Sequence, residues 1–217
     1  SFIAKRAANM EYQIKAIEHL SVLIDTDNQV YEPLLDVAKG NKSNIFNVRD
    51  AAIIGFARYG EKRNPQLKNI ALNPKNSERD RKTAYMILAL RGLPKDREIY
   101  DMICDLADDP KIGDSVFEVI DYVIDRIEDN TRLCNEFGSV NTNRLTYELC
   151  KRIETNPSYH VETLCNYLEK IHSLPKTQKL MIYSILIKVR EEFGCQSDKE
   201  NINYTLNRHL AEILTPQ

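Results

Sequence analysis

Tryptophan is absent from this sequence of 217 residues, and glycine and proline are scarce, with seven and eight residues. No apolar run approaches the roughly 20 residues that a bilayer-spanning helix needs, and the N-terminal stretch lacks the uncharged core of a signal peptide. The five cysteines are odd in number and widely spaced, a pattern typical of reduced, structural thiols. We therefore expect a cytoplasmic protein without a membrane segment.

Residue patterns that carry chemistry are also missing. The four histidines, His19, His160, His172 and His209, are scattered and lack the paired spacing of metal ligands. There is no glycine-rich phosphate loop and no serine nucleophile motif. We predict no metal, no cofactor and no catalytic residue, and nothing in these patterns indicates an enzyme.

Helical periodicity and an internal repeat are what the sequence does contain. The stretch 47–60 is an apolar helix with an arginine near its start and a glycine at its end. Thirty-two residues later the pattern returns, with Arg81 and Gly92 standing where Arg49 and Gly60 stood. A second set of apolar positions keeps a 33-residue interval through three units. Such a period indicates stacked helix pairs, each in contact with its neighbours.

The rest of the chain remains helical as the repeat fades. The third unit has no arginine at the repeated position, and beyond residue 130 the period is lost while longer helices continue. From Leu180 to Ile187 the side chains are apolar nearly all round, which predicts a helix buried between others. Because no useful β-alternation occurs, we predict an all-α superhelix of about ten to twelve helices, as antiparallel pairs. Residues 1–129 would form the repeats, and 130–217 degenerate repeats or a helical cap continuous with the solenoid.

The repeated motif resembles a known family. The Val-Arg-Asp-Ala-Ala element at 48–52, preceded by a short helix that contains Pro33, is similar to the second helix of HEAT and HEAT-like (ARM/HEAT) repeats. The resemblance covers residues 29–127 and implies an architecture shared by scaffolds, adaptors and a few enzymes. It also implies a structural role for Arg49 and Arg81, because the family's arginine commonly bonds an acidic residue in the turn of a neighbouring repeat.

Two enzymatic branches of this family can be compared with the sequence. HEAT-fold hydroxylases need His-Glu dipeptides to ligate iron, and this chain has none. HEAT-like alkylpurine DNA glycosylases resemble the chain in length and helical form, but their site uses tryptophan beside a carboxylate and an arginine. Tyrosine and phenylalanine could substitute, so this second branch stays open.

Charge is distributed unevenly along the chain. Residues 58–97 carry eleven basic side chains against four acidic ones, a local balance of +7, whereas residues 98–129 carry eleven acids against two bases, a balance of −9. One interpretation is a solvated surface with salt links between adjacent repeats. The other is a basic groove at the helix ends of successive repeats, which would take an acidic peptide or a nucleic acid. The candidate binding residues of this groove are Arg58, Lys62, Arg63, Arg91, Lys95 and Arg97.

These observations favour a non-enzymatic helical-repeat scaffold or adaptor that binds another protein, or a neighbouring domain of a longer chain. Ser1 leads directly into helical periodicity, which fits an excised domain as well as removal of an initiator methionine. The alternative is a nucleic-acid-binding protein similar to the DNA glycosylases, which would need an acid and an aromatic residue at the bottom of its basic groove. The net charge of −2 counts against it. A third hypothesis is that residues 130–217 dimerise, and we expect a monomer or a weak dimer.

Gly55 is the one glycine that falls inside a predicted helix. Glycine there destabilises a helix by about 1 kcal/mol relative to alanine. The cost predicts close approach of a neighbouring helix or of a ligand at this position, and packing is the preferred interpretation.

Overall fold

The computed structural model describes residues 10–40, 46–93, 96–127, 143–155, 161–170, 174–192 and 196–214. These residues form eleven α-helices and one 3₁₀ turn, and they contain no strand. The prediction of an all-α protein with ten to twelve helices is confirmed. None of the described helices is long and apolar enough to cross a bilayer.

The chain divides into two compact units, Ser1–Leu93 and Pro94–Gln217. In the first unit the third helix lies centrally, because the first two helices and the last helix all pack against it. The fourth helix packs on the fifth. The helices of the first unit are α1 (Met10–Ser21), α2 (Asn28–Ala38), α3 (Phe46–Tyr59), α4 (Asn64–Leu72) and α5 (Glu78–Gly92), with the 3₁₀ turn Glu61–Arg63 between α3 and α4.

Local capping fixes several helix ends in this unit. The Asp27 carboxylate accepts from the Gln29 N–H at the start of α2, and Gly40 follows the end of that helix with a left-handed φ of 73°. The Ser77 hydroxyl accepts from the Asp80 N–H at the start of α5.

The two repeated arginines make equivalent contacts. Arg49 Nε donates to the Ala38 carbonyl at 2.9 Å, and Arg81 Nε donates to the Ala71 carbonyl at 2.8 Å. Each arginine lies near the start of the second helix of a pair and satisfies a carbonyl in the last turn of the first helix. Arg49 also reaches Thr83 Oγ1 at 3.4 Å, on the second helix of the next pair. The Nε atom of each arginine thus donates to a backbone carbonyl.

The described helices of the second unit pack around a core that includes Phe117 and Tyr167, and two of them, of 17 and 19 residues, are the longest described. Neighbouring helices along the chain do not always pair, since the second helix packs on the fourth and the third on the fifth. The predicted boundary between residues 129 and 130 lies outside the described residues. The helices are α6 (Arg97–Leu106), α7 (Ser115–Ile127), α8 (Asn143–Thr155), α9 (Val161–Lys170), α10 (Lys176–Glu192) and α11 (Gln196–Leu214).

Three acidic side chains between residues 98 and 129 form ion pairs with arginines of α8. Arg144 of α8 forms an ion pair with Asp101 at 3.0 Å and a second one with Asp105, and Arg152 Nε pairs with Asp114 at 2.7 Å. The guanidinium of Arg97, followed by that of Arg144, lowers the pKa of the Asp101 carboxyl. Two arginines of α8 therefore balance part of the acidic excess.

The described cysteines are structural. Cys104, Cys150 and Cys165 are buried and form no disulfide. Burial raises the pKa of the Cys104 thiol to about 11 and that of Cys150 to about 12. These two thiols are therefore protonated and unreactive at neutral pH. Cys134 and Cys195 lie outside the described residues.

Removal of the Arg81 guanidinium is expected to destabilise the first unit. In Arg81→Ala the Ala71 carbonyl loses a charged donor, and such a hydrogen bond contributes about 1.5–3 kcal/mol. We expect the free energy of local opening of α4 and α5 to fall by about 2 kcal/mol. Amide hydrogen exchange of peptides from these helices would measure this change.

The matched control is Arg58→Ala, because Arg58 is exposed and forms no hydrogen bond or ion pair with the described residues. An exposed substitution of this kind changes stability by less than about 0.5 kcal/mol. Equal loss of protection in both variants would contradict the role of Arg81.

Candidate functional site

Arg91, a predicted binding residue, is used to hold a helix end. Its Nε donates to the Ala57 carbonyl at 3.1 Å and its Nη1 to the Gly60 carbonyl at 2.8 Å, while Nη2 reaches the Phe56 carbonyl. Burial lowers its pKa, an effect that the nearby Asp25 carboxylate opposes. The guanidinium therefore caps the C-terminus of α3 and has few donors left for a ligand.

Arg63 and Lys62 lie on the 3₁₀ turn that follows α3. Arg63 Nε donates to the Ile24 carbonyl at 2.9 Å, and its guanidinium lies 4.6 Å from the centre of the Tyr31 ring. The backbone N–H of Lys62 donates to the Asp25 carboxylate at 3.1 Å, and its side chain is exposed. Arg63 thus fixes the end of the α1 region, and Lys62 keeps a free ammonium among the described residues.

The remaining predicted residues are spread between the two units. Arg97 belongs to the second unit, where it pairs with Asp101 at 3.0 Å and lies 5.6 Å from the centre of the Tyr100 ring. Lys95 lies outside the described residues. The structure brings Lys62, Arg63 and Arg91 to one turn of the first unit, beside the acidic Asp25 and Glu61.

Arg58 lies on a groove between α1 and α3 that the residue pattern does not predict. The groove has a volume of about 510 Å³ and runs along one face of each helix. On α3 its residues recur at steps of three and four, the spacing that places side chains on one face. Its lining residues are Ile14, Glu18 and Ser21 of α1, and Asn47, Asp50, Ala51, Ile54, Gly55, Arg58 and Tyr59 of α3.

Small residues create the floor of this α1/α3 groove. Gly55 is buried against Ser21, so closely that a Cβ at position 55 would lie 2.1 Å from Ser21 Oγ. The Ser21 hydroxyl donates to the Ile17 carbonyl at 2.7 Å and is satisfied within its own helix. Gly55 is therefore explained by the close approach of a neighbouring helix. Ala51, one turn earlier on α3, leaves the groove open above this contact.

The walls of the groove combine apolar and charged groups. Glu18 and Asp50 contribute carboxylates, and Arg58 contributes the one basic side chain of the lining. Tyr59 is 42% exposed at the same end as Arg58. Exposed Tyr and Arg beside an apolar floor are typical of protein interfaces, where such residues contribute most of the binding energy.

A second concave surface lies between α7 and α9 in the other unit. It encloses about 600 Å³, and its lining carries five carboxylates around Phe117. Thr163 Oγ1 donates to Asp121 Oδ2 at 2.6 Å across this surface. The described residues contain no group of histidine, cysteine or acidic side chains arranged to hold a metal ion. The acidic surface therefore offers no coordination site.

The sequence predicts one side of this groove but not the other. The small residues at 51 and 55, one turn apart on a helix that is otherwise apolar, mark where another helix or a ligand approaches closely. Which helix supplies the opposite wall depends on how α1 packs on α3, and residue spacing does not encode that choice.

Comparisons with protein-family models, with curated proteins and with solved structures find no match to this chain. The HEAT-like resemblance over residues 29–127 stays a prediction. The interpretation of the groove accordingly rests on its own residues and their chemistry.

A methyl group at position 55 is expected to force α1 and α3 apart. In Gly55→Ala the new Cβ would meet Ser21 Oγ at 2.1 Å and Ser21 Cβ at 2.8 Å. Overpacking of this kind costs about 1–3 kcal/mol, more than the roughly 1 kcal/mol that alanine contributes to helix propensity. We expect a lower urea midpoint for unfolding.

The double variant Ser21→Gly/Gly55→Ala tests whether this contact is the cause. It removes both atoms that the methyl group would meet, so we expect the double variant to be more stable than the sum of the two single changes predicts. Additive effects of the two substitutions would show that the contact does not determine the cost.

Proposed function

We propose that this chain is a non-enzymatic, HEAT-like helical-repeat module that binds another protein, or a neighbouring domain of a longer chain, through the α1/α3 groove. The observation that carries the proposal is an open groove with a small-residue floor and, at one end, an exposed Arg58 that has no partner among the described residues. Helical-repeat proteins commonly bind partners along such surfaces.

The repeat geometry supports the architectural part of this proposal. Arg49 and Arg81 are equivalent residues of successive helix pairs, and their acceptors Ala38 and Ala71 are 33 residues apart. Recurrence of one tertiary contact at a fixed sequence interval is what stacked repeats would produce. The predicted cytoplasmic location, which rests on the reduced cysteines, belongs to the same proposal.

The groove indicates what kind of segment it would take. The floor at Ala51, Gly55 and Ser21 has room for a bulky apolar side chain, and Arg58 lies one helical turn from Gly55. An arginine with free donors favours a carboxylate, which it can bind through two hydrogen bonds. We therefore propose a helical partner segment with an apolar residue and an acid about one turn apart.

A displayed library of helical peptides tests this assignment directly. We expect selected peptides to share an apolar residue and an acid at a spacing of three or four. Ala51→Arg, which fills the groove, should weaken binding of a selected peptide by at least about tenfold. Asn69→Arg on the exposed side of α4 adds the same charge elsewhere and is the control.

A charge exchange distinguishes binding in which the acid of the peptide contacts Arg58 from nonspecific binding. Arg58→Glu should reject the acidic peptide and recover binding when the acid of the peptide is replaced by lysine. Selected peptides that bind wild type and Ala51→Arg equally would overturn the groove as the site.

The nucleic-acid alternative is favoured by one observation, the presence of the carboxylates Glu18 and Asp50 beside Tyr59 and Arg58 in the same groove. Against it, Arg63 and Arg91 donate to backbone carbonyls, which leaves fewer of their N–H groups for contact with phosphates. Dedicated nucleic-acid surfaces depend on such charge.

Fluorescent single- and double-stranded DNA and RNA, titrated at low and physiological salt, would decide between these two functions. The informative variant is Arg58→Glu/Lys62→Glu, because reversal of Arg63 or Arg91 would also remove helix caps. Salt-sensitive binding that this variant abolishes would replace the protein-binding proposal with the nucleic-acid one.

A further inference from the structure

The outer face of α10 is apolar and has no partner within the described part of the chain. Leu180, Met181 and Ile187 are 46%, 37% and 38% exposed. The prediction that this helix is buried on all sides is wrong for this face. The helix packs on α8, α9 and α11, and its buried residues are Gln178, Ile182, Tyr183, Ile185, Leu186 and Val189.

The exposed residues form one continuous stripe along the helix. Leu180, Ser184 and Ile187 recur at steps of four and three, with Thr177 and Glu191 at the two ends. The Ser184 hydroxyl donates to the Met181 carbonyl at 2.8 Å, so its hydrogen bond is already made within the helix. A small residue whose hydroxyl already has a hydrogen-bond partner, at the middle of an apolar stripe, allows a second helix to approach closely there.

The charged side chains beside the stripe are held away from it. Lys188 Nζ pairs with Glu154 of α8 at 3.1 Å, and Arg190 Nη1 donates to Asn203 of α11 at 3.0 Å. These contacts direct the charged ends toward the flanking helices and leave the aliphatic stem of Lys188 along the stripe.

We propose that a second copy of this chain packs on this face, with the two α10 helices antiparallel and the twofold axis beside Ser184. A twofold interface uses the same patch on both copies, so the patch must be complementary to itself. With the axis beside Ser184, Met181 of one copy faces Ile187 of the other, and Lys176 faces Glu192. The proposal depends on the second unit alone and is independent of the α1/α3 groove.

Charge decides the direction of the pair and favours a second copy as the occupant. Lys176 and Lys179 lie at the N-terminal end of α10, and Glu191 and Glu192 lie at its C-terminal end. Glu191 pairs with Arg190 at 3.6 Å, so Glu192 supplies the negative charge of this end. A parallel pair would place lysines on lysines and glutamates on glutamates, whereas the antiparallel pair places each lysine end on a glutamate end. Antiparallel helix dipoles add to the preference.

The size of the patch predicts a weak dimer. The helix has 17 residues and is about 25 Å long at 1.5 Å per residue. One helix pair of this length buries less than the roughly 1,200 Å² of a standard stable interface. We expect association in the micromolar to millimolar range, so that the population of dimer depends strongly on concentration.

Sedimentation velocity of the full chain, from about 5 µM to about 500 µM, tests the proposal. We expect a monomer–dimer equilibrium that Leu180→Glu weakens by about tenfold or more, because the change buries a charge in the stripe. Leu72→Glu is the matched control, since Leu72 is similarly exposed, at 54%, on α4 of the first unit. A wild type that stays monomeric, or an unchanged equilibrium in Leu180→Glu, would overturn the dimer.

A charge exchange tests the direction and register. Lys176→Glu and Glu192→Lys should each weaken self-association by about fivefold, because each creates two like-charge pairs per dimer. The double variant Lys176→Glu/Glu192→Lys should restore the wild-type equilibrium. Single variants that dimerise like wild type would exclude the antiparallel pairing, because a parallel pair has like charges at these positions already. Circular dichroism of every variant confirms that the helices persist.

Discussion

The first unit depends on arginine side chains that donate to the carbonyls at helix ends. The last turn of every helix leaves carbonyls without intrahelical partners, and a buried unsatisfied carbonyl is costly. Arginine suits this role because its planar guanidinium stays charged and offers several N–H donors. Three arginines donate to the last turn of a helix, and a fourth donates to the turn that follows α1. The donor–acceptor pairs are Arg49 with Ala38, Arg63 with Ile24, Arg81 with Ala71, and Arg91 with Ala57.

Because these arginines hold backbone carbonyls, the basic charge of residues 58–97 is weaker evidence for an anion-binding surface. Residues 58–97 have a balance of +7, which by itself suggests an anion-binding surface. Arg63, Arg81 and Arg91 contribute to that sum, yet their Nε atoms donate to backbone carbonyls. A count of charges cannot distinguish a guanidinium that caps a helix from one that meets a ligand. Arg58 differs because it lines the α1/α3 groove and forms no side-chain hydrogen bond with the described residues.

The parts of the structure that the sequence predicts are those with local causes. Helical periodicity gives the all-α fold, and Gly40 and Ser77 mark helix ends because the residues that need them are adjacent in the chain. The groove could be predicted only as far as the cost of Gly55, since its other wall is α1, more than 30 residues away. The acceptors of Arg63 and Arg91 are similarly remote. Such contacts depend on which helices meet, and spacing along one helix does not specify that.

The α10 helix shows why apolar content alone does not locate a helix in a fold. A helix that is apolar all round must be buried on all sides, but the segments that bury it need not belong to its own chain. The helices α8, α9 and α11 cover one face of α10, while the stripe around Ser184 remains exposed with opposite charges at its two ends. A dimer through this face would carry two α1/α3 grooves. A partner with two binding segments would then be held more tightly than one segment allows, provided that its linker spans the distance between them. Weak self-association through α10 and a modest groove could in this way give strong binding to a repetitive partner.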